Sequence, residues 1–204
     1  MAPNMTLFSV NAILVMSADD KDSGRLLAKY YSAPHPPAGL SSNSTDFPGA
    51  NPYPNTKDQK AFEKGLLEKT AKQTSDVILY DNRVVVFKME NDVMLYVVGP
   101  AEENEILLYH VIACLREALY TLLKGSVDKR SIVENYDLVS LAIDEIVDDG
   151  IVLETDATVV ASRVSRPPVH DAAAASNIDL SEQGLLNAWD FLKMKGQERL
   201  RQGF

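Results

Sequence analysis

Apolar side chains at Ile132, Tyr136, Val139, Ile143 and Ile146 step by 4, 3, 4 and 3 residues, which is one stripe along an α-helix. Gly150 stands where such a helix ends, since glycine takes the left-handed C′ conformation without a Cβ penalty. Ile151-Val152-Leu153 is then apolar and β-prone. Earlier in the chain the period changes. Residues 7–16 (LFSVNAILVM) make an apolar run fit for a buried strand, and after a polar turn Arg25–Tyr31 (RLLAKYY) returns as its hairpin partner. Val77–Tyr80, Arg83–Met89 and Val93–Val98 predict three more strands. Short polar turns at Asp81-Asn82 and Asn91-Asp92 join them into an antiparallel meander.

Helices fill the remaining periodic segments. Thr56 with Gln59 three residues on has the form of a capping box, opening a helix to about Gln73 that buries Phe62, Leu66, Leu67 and Ala71. Pro100 suits a helix start, and Glu102, Glu103 and Glu105 suit its positive end. That helix runs to about Lys124, with Leu108, Ile112, Leu115, Leu119 and Leu122 inward and Gly125 closing it. Ser131 or Asp128 caps the next one. The order β-β-α-β-β-β-α-α predicts an α+β fold, a five-stranded antiparallel sheet flanked by helices.

Residues 32–56 break the pattern with six prolines (34, 36, 37, 48, 52 and 54) among Ser, Asn and Gly. Such a stretch buries too little apolar surface to offset its ordering entropy and reads as a mobile insertion. The organisation expected is therefore a domain over residues 1–160, a linker over 161–179 and an amphipathic C-terminal helix over 180–204. Leu185, Leu186, Trp189 and Leu192 line one side of that last helix.

Charge sharpens the picture. The chain of 204 residues carries a net charge of -9, but residues 1–100 hold 10 basic and 11 acidic side chains against 10 and 18 in residues 101–204. Asp144, Glu145, Asp148 and Asp149 crowd the predicted end of the helix, where its dipole disfavours anions by a few tenths of a kcal/mol each. Two readings stand, a solvated helix end and a docking surface for a basic partner. Either repels phosphate backbones, so nucleic acid is not an expected partner. The basic residues Lys193, Lys195, Arg199 and Arg201 beyond Trp189 suit a protein partner better than a membrane surface. The apolar run at 7–16 lacks a preceding basic residue and falls short of the ~20 residues of a membrane span, so a cytosolic protein is expected.

Catalytic chemistry finds little footing. His35 and His170 lie in loops, and the single cysteine, Cys114, stands four residues after His110 beside an apolar face. A buried free cysteine there is a small hydrophobe rather than a nucleophile. The carboxylate spacings 144/148 and 145/149 lack a third oxygen ligand, and no glycine-rich phosphate loop occurs. No catalytic, metal or cofactor site is expected.

Three segments together resemble one family. RLLAKYY (25–31), NEILLYHVIACLREALYTLL (104–123) and ENYDLVSLAIDEIVDDGIVLETD (134–156) resemble the second strand, the central helix and the signature of the longin-fold small chains of vesicle coats. The resemblance covers about residues 7–165 apart from the proline-rich insertion, and its last segment is the specific one. Clathrin-adaptor sigma chains stop soon after the Glu154-Thr155 position, whereas VDKRSIVEN and DEIVDDGIVLETD are closer to coatomer zeta subunits.

That resemblance implies a non-enzymatic coat subunit. It implies pairing with a helical-solenoid gamma subunit inside a heptameric complex, recruited to Golgi membranes by a GTPase of the ADP-ribosylation-factor family. It also implies a role in Golgi-to-endoplasmic-reticulum retrograde and intra-Golgi transport. The expected partner interface is Glu145, Asp148 and Asp149, with Tyr136. The groove that takes dileucine signals in sigma chains would fall near Met94, Leu115, Leu119 and Val127. The alternative within the same group is a sigma-type small chain of a clathrin adaptor, and the alternative of a different class is a longin-type tethering or GTPase-regulatory subunit.

Overall fold

The computed structural model describes residues 7–18, 24–33, 50–71, 73 and 75–165. Five strands form one antiparallel sheet: β1 (Ala12–Ser17), β2 (Arg25–Tyr30), β3 (Val77–Tyr80), β4 (Arg83–Glu90) and β5 (Val93–Pro100), in the spatial order β2-β1-β5-β4-β3. Helix α1 (Thr56–Thr70) covers one face. Against the other lie α2 (Glu105–Leu122), α3 (Lys129–Glu134), α4 (Tyr136–Ile146) and α5 (Ala157–Val164), while β6 (Val147–Asp148) and β7 (Ile151–Val152) form a separate two-stranded hairpin.

The two faces explain the two kinds of strand pattern. β1 lies second in the sheet and is buried at every position, so Ala12 to Met16 are apolar without alternation. Ile13 and Val15 join the α2 side, whereas Ala12, Leu14 and Met16 join Phe62 and Leu66 of α1. Each buried Leu, Ile or Val contributes roughly 1.5–3 kcal/mol relative to exposure. The turn between β3 and β4 is tight because Asp81 and Asn82 both take positive φ, 51° and 56°, the geometry of a type I′ hairpin.

Five expectations need correction. The N-terminal strand begins at Ala12 rather than residue 7, with Phe8 bridging Ile151 instead. Thr56 is not a cap: Asn55 precedes the helix, and Gln59 turns away to donate to the Tyr53 carbonyl at 3.0 Å. Pro100 ends β5 opposite Arg83, and α2 starts five residues later behind Asn104, whose side chain accepts from Ile106 N at 2.9 Å. Pro100 lacks only the N–H that an end residue of a strand does not need. The domain also runs past residue 160, because Asp156 caps α5 by accepting from Thr158 N at 2.8 Å and Val159 N at 3.2 Å. Finally, the end of the proline-rich stretch is packed. Tyr53 is buried, stacks on Phe62 at 4.3 Å between centroids and donates to Asp81 at 2.6 Å. Residues 34–49, the linker beyond Ser165 and the helix expected over 180–204 lie outside the described residues.

A polar clamp holds β2 to α1. Arg25 donates to both oxygens of Glu63, at 2.9 and 2.6 Å, and Tyr30 donates its hydroxyl to the same carboxylate at 2.8 Å. Glu63 is only 3% exposed, so these donors replace the water it has lost. Burial, then the Glu63 charge, pushes the Tyr30 phenol well above its ordinary range.

Candidate partner interface

The stripe read as one helix over 132–149 is two helices and a hairpin. Asn135, at φ -120° and ψ 35°, breaks α3 from α4. Helix α4 buries Val139, Ala142, Ile143 and Ile146, and stops at Ile146 because Val147 is already extended at φ -137°. Two β-branched flanks and an Asp-Gly pair then win over helix propensity. Asp149 and Gly150, at φ 46° and 84°, make a two-residue turn between β6 and β7. Gly150 is therefore a hairpin residue and not the helix C′ residue expected. Its carbonyl accepts from Val10 N at 3.0 Å, which ties the turn to the chain entering β1.

This changes the electrostatics of the acidic end. Asp148 and Asp149 lie off the helix, so the pairs 144/148 and 145/149 are not helical neighbours. The carboxylates that do sit near the negative end of α4 are answered. Lys29 of β2 donates to Asp144 at 2.5 Å and to the Ser140 carbonyl at 3.2 Å. Arg163 of α5 bridges Glu145 at 3.3 Å and Glu154 at 3.6 Å. Asp148 and Asp149 are exposed and form no ion pair among the described residues. Their effect is felt by Tyr31, packed against Gly150: burial first, then Asp144, Asp148 and Asp149, drives its phenol far above the usual range.

Glu145, Asp148 and Asp149 thus gather at one end of α4. Tyr136 does not join them. It is exposed at the first position of the helix, about 15 Å away at 1.5 Å per residue. It also lies outside the core stripe to which its spacing assigned it. Three exposed apolar residues lie outside the interface expected from the sequence: Leu141, 52% exposed on the outer side of α4, and Leu7 and Leu153 beside the hairpin. Leu141 carried a signal, since it falls off the 4-3-4-3 stripe and yet is apolar. The result is a surface with apolar knobs among carboxylates, suited to basic, partly apolar chains.

His110 is exposed while Cys114 is buried, and burial followed by Glu154 pushes its thiol up to about 12, so no thiolate is available near neutrality. Among the described residues no group of three His, Cys, Asp or Glu side chains is placed to hold a metal, and no helix is long and apolar enough to cross a membrane. The four residues where a sigma-type groove would fall, Met94, Leu115, Leu119 and Val127, are not brought to one surface. All four are buried, with Met94 on the α1 face of the sheet and the other three on the opposite face.

A family model described as "Clathrin adaptor complex small chain" matches residues 50–168. Coatomer subunit zeta of Saccharomyces cerevisiae is 40% identical over 200 residues, covering 98% of this chain and 98% of its own. The chain belongs to the coatomer zeta family. Coatomer subunit zeta-1 of Homo sapiens is 36% identical over 87% of this chain and 85% of its own, and its namesake in Arabidopsis thaliana 35% identical over 88% and 89%. The fold likeness reaches further. A chain in a homology model of the full-length AP-3 complex in a stretched open conformation superposes with a TM-score of 0.52 at 16% identity, covering 76% of this chain and 90% of that one. Zeta relatives and an adaptor-type fold make this chain a coat subunit with a longin-like fold, from a family that is generally non-enzymatic.

Proposed function

We propose that this coat subunit pairs with the trunk of a coatomer gamma subunit and works in retrograde Golgi-to-endoplasmic-reticulum and intra-Golgi transport. In this proposal the heptameric coat is cytoplasmic and peripheral on Golgi membranes and coated vesicles, brought there by a GTPase of the ADP-ribosylation-factor type. Likeness to a zeta subunit over 98% of both chains carries the proposal. The chain itself contributes shape and charge rather than chemistry. The compact domain ends after α5, and residues 180–204, an amphipathic helix in this proposal, serve a protein partner.

Asp148 and Asp149 are the docking point assigned to basic helices of the solenoid, with Glu145 and the exposed Leu141 beside them and Tyr136 at the far end of the same helix. Obligate interfaces bury over ~2,000 Å², so this point is one part of a larger contact. Asp148→Lys combined with Asp149→Lys is expected to weaken binding to the gamma trunk at least about tenfold at low salt, mostly through slower association. The loss should shrink as salt screens the surface. Surface plasmon resonance at two salt concentrations reads this directly. Unchanged association rates would return the two carboxylates to solvation.

A further inference from the structure

The sheet extends beyond the helix that covers its first face. Past the last turn of α1, Phe87, Met89 and Met94 floor a cleft of about 670 Å³ walled by Leu67. Phe87 and Met94 are nearly buried at its base, and Met89 stands 62% exposed at its mouth. The volume falls within the roughly 300–1,000 Å³ of ligand sites. Its floor is apolar. The Thr70 hydroxyl in the wall already donates to the Leu66 carbonyl at 2.9 Å and lies 2.7 Å from the Tyr96 hydroxyl. Two thioethers make the floor adaptable to side chains of different shape.

The charged side chains described at the mouth are of one sign. Among the described residues Glu68 and Asp76 line it and no basic residue does, and the carbonyl end of α1 adds its negative partial charge. Lys88, which pairs with Asp76, has its ammonium 5.2 Å above the Tyr109 ring of α2, on the other side of the sheet. An anionic lipid headgroup or an acidic segment is repelled at such a mouth. A second copy of a chain with a net charge of -9 is a poor fit for the same reason.

We propose that this cleft docks a short segment of a partner polypeptide in which a bulky apolar side chain is followed by Lys or Arg. The apolar side chain lies on Phe87, Met89 and Met94, and the cation sits at Glu68 and the end of α1. This surface is on the opposite face of the sheet from the acidic hairpin and does not depend on gamma pairing.

The test uses the full chain labelled with ¹³C at its methionine methyls, with the Met89 and Met94 signals assigned by Met→Leu substitution. Three octapeptide probes are titrated: a Leu-Trp pair followed by Lys-Arg, the same with Glu-Glu for Lys-Arg, and the same with Ser-Ser for Leu-Trp. Only the first is expected to move the Met89 and Met94 methyl signals. Glu68→Lys and Met89→Asp, both at exposed positions, should each weaken it at least about tenfold without altering the circular dichroism spectrum. Three outcomes overturn the proposal: no methyl shift at millimolar peptide, equal shifts with the acidic peptide, or shifts produced by raising protein concentration alone, which would give the cleft to a second copy.

Discussion

Arg25→Leu is expected to destabilise the fold by about 3–5 kcal/mol, because it leaves a buried carboxylate without its charged partner. Glu63 is 3% exposed and keeps only the Tyr30 hydroxyl once the two guanidinium bonds are gone. Arg25 itself is about a quarter exposed, so water re-solvates part of the site and the lower end of that range is the better figure. Against a total stability of ~5–15 kcal/mol, the loss removes a large share. The pair is not expected to contribute that much on its own. Replacing both residues by leucine should recover much of the loss, since a buried ion pair is often matched by apolar packing. Urea unfolding followed by circular dichroism separates the cases. A single-variant loss under about 1 kcal/mol would mean the clamp is relaxed or hydrated.

Gly150→Ala comes second, at about 2–4 kcal/mol, and couples stability to the interface. At φ 84° an L side chain is strained by about 1–2 kcal/mol, and here a Cβ would also lie 2.6 Å from the Val10 carbonyl oxygen. Backbone, not a flexible side-chain tip, has to give way. Gly125→Ala is the control. It shares a positive φ of 92°, but its Cβ would meet nothing nearer than the Tyr120 hydroxyl at 3.5 Å. Conformational strain alone, about 1–2 kcal/mol, is expected there. Because the Asp149-Gly150 turn presents both unpaired carboxylates, Gly150→Ala should also weaken partner binding, whereas Gly125→Ala should not. Equal thermal stability of the two variants would sink the steric explanation.

How far the fold was legible follows from which forces are local. The five strands and the central helix were readable because each is a run whose periodicity and turn residues agree, as in Asp81-Asn82 between β3 and β4. Helix ends were less readable. Pro100 is equally at home ending a strand or starting a helix, and only the pairing with Arg83 decides. At 146–152 the misreading came from one glycine with two uses. A C′ glycine and a type I′ glycine both take positive φ, and the choice fell to the extended Val147 and the bond from Val10 N, a contact between distant parts of the chain. The packing of Tyr53 on Phe62 is likewise invisible in a proline-rich context. Of the interface residues, the carboxylates were legible as composition. The reason for singling out Asp148 and Asp149 was not, since it depends on Lys29 and Arg163 arriving from other elements to answer Asp144 and Glu145.

The most direct measurement is co-expression of the full chain with the coatomer gamma trunk and, separately, with the trunk of a clathrin-adaptor large chain, followed by size-exclusion chromatography. The expected result is a stoichiometric complex with gamma alone that the Asp148→Lys, Asp149→Lys variant forms more weakly at low salt. Binding to the adaptor trunk instead, or to neither, would contradict the pairing proposed and move the tethering or GTPase-regulatory alternative to the front.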